Sequence, residues 1–140
     1  MFLYGGAPGV AGDAARVLTA RIPELRIVGV EHGYGNPDAA AARIAAARAD
    51  VVVVALGNPL QERWIATHPE ALRGAVAIGV GALLDYLSGR VPRAPRWVRT
   101  MRAEWLYRLA VEPRRLWRRY LVGNARFVLR LMLTHHRERA

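Results

Sequence analysis

Val51-Val52-Val53-Val54-Ala55-Leu56-Gly57-Asn58-Pro59-Leu60-Gln61-Glu62 is the stretch on which the fold turns. Its first six residues form a short, continuous apolar run dominated by β-branched side chains, which predicts a strand buried on both faces. Gly57 interrupts the run, and Asn58-Pro59 predicts the start of a helix carrying Gln61, Glu62 and Trp64. A buried strand, a glycine turn and a helix in this order are the beginning of a parallel βαβ unit.

The same alternation extends outward on both sides. Phe2 to Gly5, Arg26 to Val30 and Ala75 to Val80 read as further strands, the last of them also buried. After the first, Pro8 suits the opening turn of a helix, and Val10, Ala14, Val17, Leu18 and Ile22 recur at helical spacing as its core face. Asn36-Pro37-Asp38 combines a capping side chain, a proline and an early acid, so a helix runs from there through the alanine-rich segment to Arg48. The expected fold is therefore α/β, a parallel Rossmann-like sheet of about four strands with flanking helices.

From Gly89 the composition changes. A proline-punctuated basic connector, Arg90 to Arg96, leads into Trp97 to Ala110, whose Val98, Met101, Trp105 and Leu109 form one helical stripe. Pro113 sets another helix start, and beyond it Arg115, Arg119, Arg126 and Arg130 fall on or near one face while Leu116, Tyr120, Phe127 and Leu131 fall near another, a basic amphipathic helix. This gives an α/β core over residues 1–88 and a basic helical appendage over residues 89–140.

Charge follows that division. Residues 1–70 carry 6 arginines against 7 acids, and residues 71–140 carry 15 against 4, within a net charge of +10. The second half is suited to an anionic partner: nucleic acid, anionic lipid or a phosphate-bearing substrate. The chain has no cysteine, so a disulfide framework and a thiolate metal site are excluded. His32 and His68 lack a carboxylate at ligand spacing, and Ser88, the single serine, has no nucleophile setting. Met1 runs into Gly5-Gly6 without the apolar stretch of a secretion signal. Tyr120 to Leu133, broken by Arg126 and Arg130, falls short of the roughly 20 apolar residues a bilayer span requires. The first argues against secretion and so for a cytoplasmic chain, and the second makes any membrane contact peripheral.

Three segments are candidates for ligand binding. Gly5-Gly6-Ala7-Pro8-Gly9 joins a strand to a helix, where a backbone can approach a phosphate, although the same glycines serve a tight turn equally well. Gly57-Asn58-Pro59 with Gln61 and Glu62 lies at the carboxyl end of a parallel strand, where open α/β sheets bind ligands. Gly79-Val80-Gly81 followed by Asp85 repeats that pattern, with an acid suited to sugar or ribose hydroxyls. In the basic half, Glu104-Trp105-Leu106-Tyr107-Arg108 and Glu112 to Tyr120 mix arginines with aromatics, which fits diphosphate binding at a membrane surface, nucleic-acid binding, or a core face with solvated arginines.

Taken in order, Phe2 to Ala11, Gly33-Tyr34, Gly57 to Trp64, Ile78 to Asp85, Gly89, Arg93-Ala94-Pro95, Glu104 to Arg108 and Glu112 to Arg115 resemble the WecG/TagA/CpsF glycosyltransferases. The resemblance implies transfer of a sugar, N-acetylmannosamine, its uronic acid or a related hexose, from a UDP-sugar donor to a polyprenyl-diphosphate-linked acceptor. The products would feed teichoic acid linkers, enterobacterial common antigen or exopolysaccharide. It implies an inverting reaction with no metal and no other cofactor, carried out at the inner face of the cytoplasmic membrane, with a homo-oligomer plausible for the family. Residue by residue, it assigns Gly5, Gly6, Gly57, Asn58, Pro59, Gln61, Glu62, Gly79, Gly81 and Asp85 to the sugar nucleotide, with Gln61 foremost. It assigns Arg108, Arg115 and Arg118 to the diphosphate of the lipid carrier. The family's general base belongs to a portion preceding the first strand, so none of Asp13, Asp38 or Asp50 takes that role, and the catalytic residue is unknown. The alternatives are a non-catalytic basic module binding nucleic acid through residues 90–139 and an inactive remnant that still binds UDP. Nucleic-acid binding gives the Gly57 to Glu62 motif no task.

Overall fold

The computed structural model describes residues 1–92, 95–101, 103–111 and 113. Four strands, β1 (Phe2–Gly5), β2 (Gly29–Glu31), β3 (Val51–Ala55) and β4 (Val76–Gly79), form one sheet in the order β2-β1-β3-β4. Every pairing is parallel, with Leu3 opposite both Val30 and Val53, and Val53 opposite Ile78. The crossovers are α1 (Val10–Arg21), α2 (Pro37–Ala47) and α3 (Leu60–Thr67), the last followed by a 3-10 turn at Pro69–Leu72, and α4 (Leu83–Leu87) follows β4. This is the Rossmann-like α/β arrangement expected from the sequence.

The period of two along a strand sorts the core onto two faces. Phe2, Tyr4, Val52 and Val54 pack with Ala40, Ala41 and Ile44 of α2 and Trp64 of α3. Leu3, Val53 and Ala55 pack on the other side with Val10, Ala11 and Ala14 of α1 and Leu84 of α4. Right-handed crossovers require this separation, because the chain steps one way from β1 to β2 and the other way from β2 through β3 to β4.

Local chemistry sets the helix starts. The Asn36 Oδ1 accepts from the Asp38 N–H at 2.8 Å and the Ala39 N–H at 3.0 Å, and Pro37 occupies the first turn, as the sequence predicts. α1 begins at Val10 and not at Pro8. Gly9 holds a left-handed φ of 88° at its cap, and Pro8 lies in the turn closed by the Val10 N–H on the Ala7 carbonyl at 3.0 Å.

Three expectations are corrected. β2 lies at Gly29–Glu31, later than Arg26 to Val30, because Gly29 pairs with Phe2 and the Phe2 ring occupies the space where a Cβ would stand, 2.3 Å from its Cε2. β4 is an edge strand and not a buried one: Val76 is 61% and Ile78 45% exposed, since the strand order leaves β4 one neighbour. The single helix expected over Trp97 to Ala110 is two, α5 (Arg96–Thr100) and α6 (Glu104–Val111), with Met101 exposed between them.

The chain divides into two compact units, Met1–Pro92 and Arg93–Ala140. The second contains α5 and α6, with Val98 buried and Trp97, Leu106 and Val111 exposed. The basic amphipathic segment from Arg115 onward lies outside the described residues. Among the described residues no helix is long and apolar enough to cross a membrane.

Tyr4 gives the core a testable alkaline limit. Burial pushes its phenol pKa up, and Glu31 adds to the rise while Arg43, bonded to Glu31 at 2.6 Å, opposes it. A pKa raised on folding means that stability is fully present below the ordinary value of 10.0 and is lost as pH climbs through the folded one. With no lysine or cysteine in the chain, tyrosines dominate titration in that range. The urea midpoint is expected to fall on the alkaline side of about pH 10, and Tyr4→Phe to flatten that fall.

Candidate functional site

The strand order creates one place where neighbouring connections diverge. From β1 the chain departs toward β2, and from β3 it departs toward β4, which leaves a crevice outside the carboxyl ends of β1 and β3. Gly5 and Gly6 form its β1 side, Gly57 to Glu62 its β3 side, and Gly79 to Gly81 extend it along β4.

Steric demand accounts for Gly5. Its φ is 134°, and a Cβ there would stand 2.3 Å from the Ala55 carbonyl oxygen of β3. Gly6 continues the junction by donating its N–H to that same oxygen at 3.1 Å. The Gly6 carbonyl in turn accepts from the Gly33 N–H at 2.9 Å, which places the Gly33-Tyr34 loop beside the β1 turn and leaves Tyr34 78% exposed.

On the β3 side, Gly57 has a φ of 78° and its carbonyl accepts from the Gln61 N–H at 2.9 Å. Asn58 and Pro59 are exposed and joined by a cis peptide. α3 begins one step later than the Asn58-Pro59 start read from the sequence, at Leu60 with Pro59 in the cap position and no side-chain cap. The difference from α2 is the register of the proline: Pro37 follows its capping asparagine into the helix, whereas Pro59 occupies the cap itself.

Gln61 is buried at 6% exposure. Its Oε1 accepts from the Gly81 N–H at 2.8 Å, and its Nε2 donates to Glu62 Oε1 at 2.9 Å. Gly79 lies beneath that amide, and a Cβ there would come 2.9 Å from Nε2. Glu62 itself is exposed. Asp85 sits on α4, where its main-chain carbonyl accepts from Ser88 Oγ at 2.9 Å and from the Val91 N–H at 3.3 Å. The crevice thus collects the glycines, Asn58, Pro59, Gln61 and Glu62 at one edge of the sheet. Asp50 precedes β3 at the opposite edge. Arg108 belongs to α6 in the second unit, and Arg115 and Arg118 lie outside the described residues.

One group at this edge escapes sequence reading. The Arg90 Nη2 donates to Asp13 Oδ2 at 3.3 Å, and a Cβ on Gly9 would stand 2.6 Å from that nitrogen. Asp13 also accepts from Arg16 at 2.5 Å; that bond first, and the one from Arg90 after it, hold its carboxyl below the ordinary carboxylate range. A guanidinium is thereby fixed beside the turn that opens α1. In the sequence Arg90 is one arginine among many in a basic connector, 77 residues from its partner, so no spacing signals the pair. Chemically the edge offers the glycine backbone at Gly57 and Gly81, with no atom within 4 Å of a would-be Cβ, the Arg90 guanidinium paired to Asp13 and the Glu62 carboxylate, a set suited to a phosphorylated, hydroxyl-bearing ligand.

The model of the glycosyl transferase WecG/TagA/CpsF family matches residues 1–140. The chain is 38% identical over 122 residues to the N-acetylglucosaminyldiphosphoundecaprenol N-acetyl-beta-D-mannosaminyltransferase of Bacillus subtilis (strain 168), covering 86% of this chain and 47% of that protein. It is likewise 38% identical, over the same shares, to the protein of that name from Bacillus spizizenii. The chain spans about half the length of the curated relatives it matches.

Proposed function

The chain belongs to the glycosyl transferase WecG/TagA/CpsF family, and from that membership we propose that it transfers a sugar from a UDP-sugar to a polyprenyl-diphosphate-linked acceptor in cell-surface polysaccharide biosynthesis. The sugar is N-acetylmannosamine, its uronic acid or a related hexose. The observation that carries the reading is the switch point at the carboxyl ends of β1 and β3, where glycines end the strands and where Gly57 and Gly81 have no atom within 4 Å of a would-be Cβ. The activity named for the Bacillus relatives supports both the sugar and the lipid-diphosphate acceptor.

In this reading the UDP-sugar lies along Gly5-Gly6, Gly57 to Glu62 and Gly79 to Asp85. The acceptor hydroxyl attacks the anomeric carbon from the face opposite the diphosphate, the C1–O bond to UDP breaks, and configuration inverts. Negative charge grows on the departing phosphate, and arginines offset it. Arg108, Arg115 and Arg118 serve the lipid-linked diphosphate, and residues 89–140 lie on the inner face of the cytoplasmic membrane. No residue of the chain is assigned as the base that takes the acceptor proton.

Calorimetric titration with UDP and UDP-N-acetylmannosamine tests the donor site. Saturable binding of both is expected. Absence of UDP binding by a folded chain, with salt-sensitive binding to duplex DNA in its place, would remove the transferase reading in favour of a nucleic-acid module.

A further inference from the structure

A buried amide is costly unless its oxygen and nitrogen are both bonded, and Gln61 meets that condition entirely through the protein. Its oxygen takes the Gly81 N–H and its nitrogen serves Glu62, so the side chain ties the first turn of α3 to the β4–α4 turn. On its other side that turn is held by the Leu83 N–H on the Val80 carbonyl at 3.3 Å and by Val80 packing on the α1-side core. The Val80 N–H makes its last bond to the sheet, to the Val54 carbonyl at 2.9 Å, and at Gly81, with a φ of 59°, no atom lies within 4 Å of a would-be Cβ. A Cβ at Gly79 would press on the Gln61 amide, 2.9 Å from Nε2 and 3.1 Å from its Cδ, and displace it.

We propose that Gln61 is a positioning residue: it sets the Gly79–Gly81 turn and the Glu62 carboxylate at fixed places on the rim of the crevice, and acts on the ligand only through them. The inference rests on the sugar-nucleotide reading of that crevice. It also reassigns the residue that the sequence resemblance puts foremost in ligand contact. Gln61 has the chain's single glutamine amide, and a shorter or charged side chain cannot make both bonds at once.

Three variants of the full chain test it, read by UDP calorimetry, by hydrogen exchange of the Gly81 amide and by thermal midpoint. Gln61→Met keeps the length and the apolar stem. It is expected to remain folded, to lose protection at the Gly81 amide and to weaken UDP binding roughly tenfold or more, the scale of a lost buried hydrogen bond. Gln61→Glu retains an acceptor for Gly81 but sets a carboxylate against Glu62. Burial and the facing Glu62 carboxylate would push the new carboxyl's pKa up, so UDP affinity relative to wild type should be low at alkaline pH and recover as pH falls and protonation restores an O–H donor to Glu62. Gly79→Ala should weaken UDP binding in the wild-type background and have a smaller effect beside Gln61→Ala, because the amide it strikes is then gone.

UDP affinity unchanged in Gln61→Met overturns the proposal. So does weakened affinity with Gly81 protection intact, since that is the signature of a ligand contact. If the wild-type chain itself ignores UDP, the functional reading falls first and the positioning role falls with it; if wild type binds and Gln61→Met binds equally, only the positioning role is lost.

Discussion

Gly5→Ala is expected to lower the stability of the α/β unit by about 3–5 kcal/mol, a large share of the roughly 5–15 kcal/mol typical of a folded domain. The added methyl would stand 2.3 Å from the Ala55 oxygen and 2.4 Å from its carbonyl carbon, both backbone atoms of the neighbouring central strand. No rotamer can relieve such a clash, because a Cβ has none. The φ of 134° adds strain of about 1–3 kcal/mol that any L side chain incurs there. β1 cannot withdraw from β3 without opening the ladder that pairs Phe2 through Gly5 with Val52 through Ala55. Gly12 on α1 is the internal control, since nothing lies within 4 Å of its would-be Cβ and its backbone is helical. Gly12→Ala should be neutral or stabilising by up to about 1 kcal/mol. Urea midpoints at unchanged slope measure both changes. A loss below about 1 kcal/mol for Gly5→Ala would mean that the two strand ends part easily, and the crevice would lose its rigid floor.

The same contrast shows what can be read from residues in order. β3 is legible because a run of four valines has one economical fate in an α/β chain, and α2 is legible because Asn36-Pro37-Asp38 carries its own cap. The limits of β2 are not, because the apolar character of Arg26 to Val30 is spread evenly and only the packing of Phe2 on Gly29 fixes the register. Nor does an apolar run reveal whether it will be central or at an edge. The exposure of Val76 and Ile78 follows from strand order, which is set by pairings among distant segments. In the site, the glycines are legible as strand-end turns. Gln61 reads as ligand-facing because it is polar and begins a helix, yet its spacing of three from Trp64 already puts it on the buried stripe of α3. The Arg90–Asp13 pair leaves no trace in the sequence, since it joins two segments that only the fold brings together.

Trp64→Ala should cost about 3–5 kcal/mol and, unlike an ordinary core truncation, should weaken UDP binding by the molecules that remain folded. Trp64 is 5% exposed, and its ring meets Tyr4 of β1 at a centroid separation of 4.8 Å and stacks on His68 at 4.7 Å. Its indole N–H reaches the Pro37 carbonyl at 3.4 Å, and His68 reaches Asp38 at 3.2 Å, so the first turn of α2 is held by the same group. Trp64 therefore seats α3 against the sheet and against α2, one turn beyond Gln61. Removing the ring frees the helix that carries Gln61 and Glu62, and with it the tether to Gly81. Trp64→Phe retains an aromatic contact with Tyr4 and loses the N–H and part of the volume, for an expected cost of about 1–2 kcal/mol. Ile44→Ala supplies the comparison: Ile44 is 1% exposed on the same core face but lies on α2, and its truncation should cost about 2–5 kcal/mol while the folded fraction binds UDP as wild type does. Titrations at a temperature where all three variants are mostly folded separate the two effects. Equal UDP affinities for Trp64→Ala and Ile44→Ala would reduce Trp64 to core filling and cut the link from α3 packing to the crevice. A selective loss in Trp64→Ala would mean that the core beneath α3 sets the geometry of the site above it.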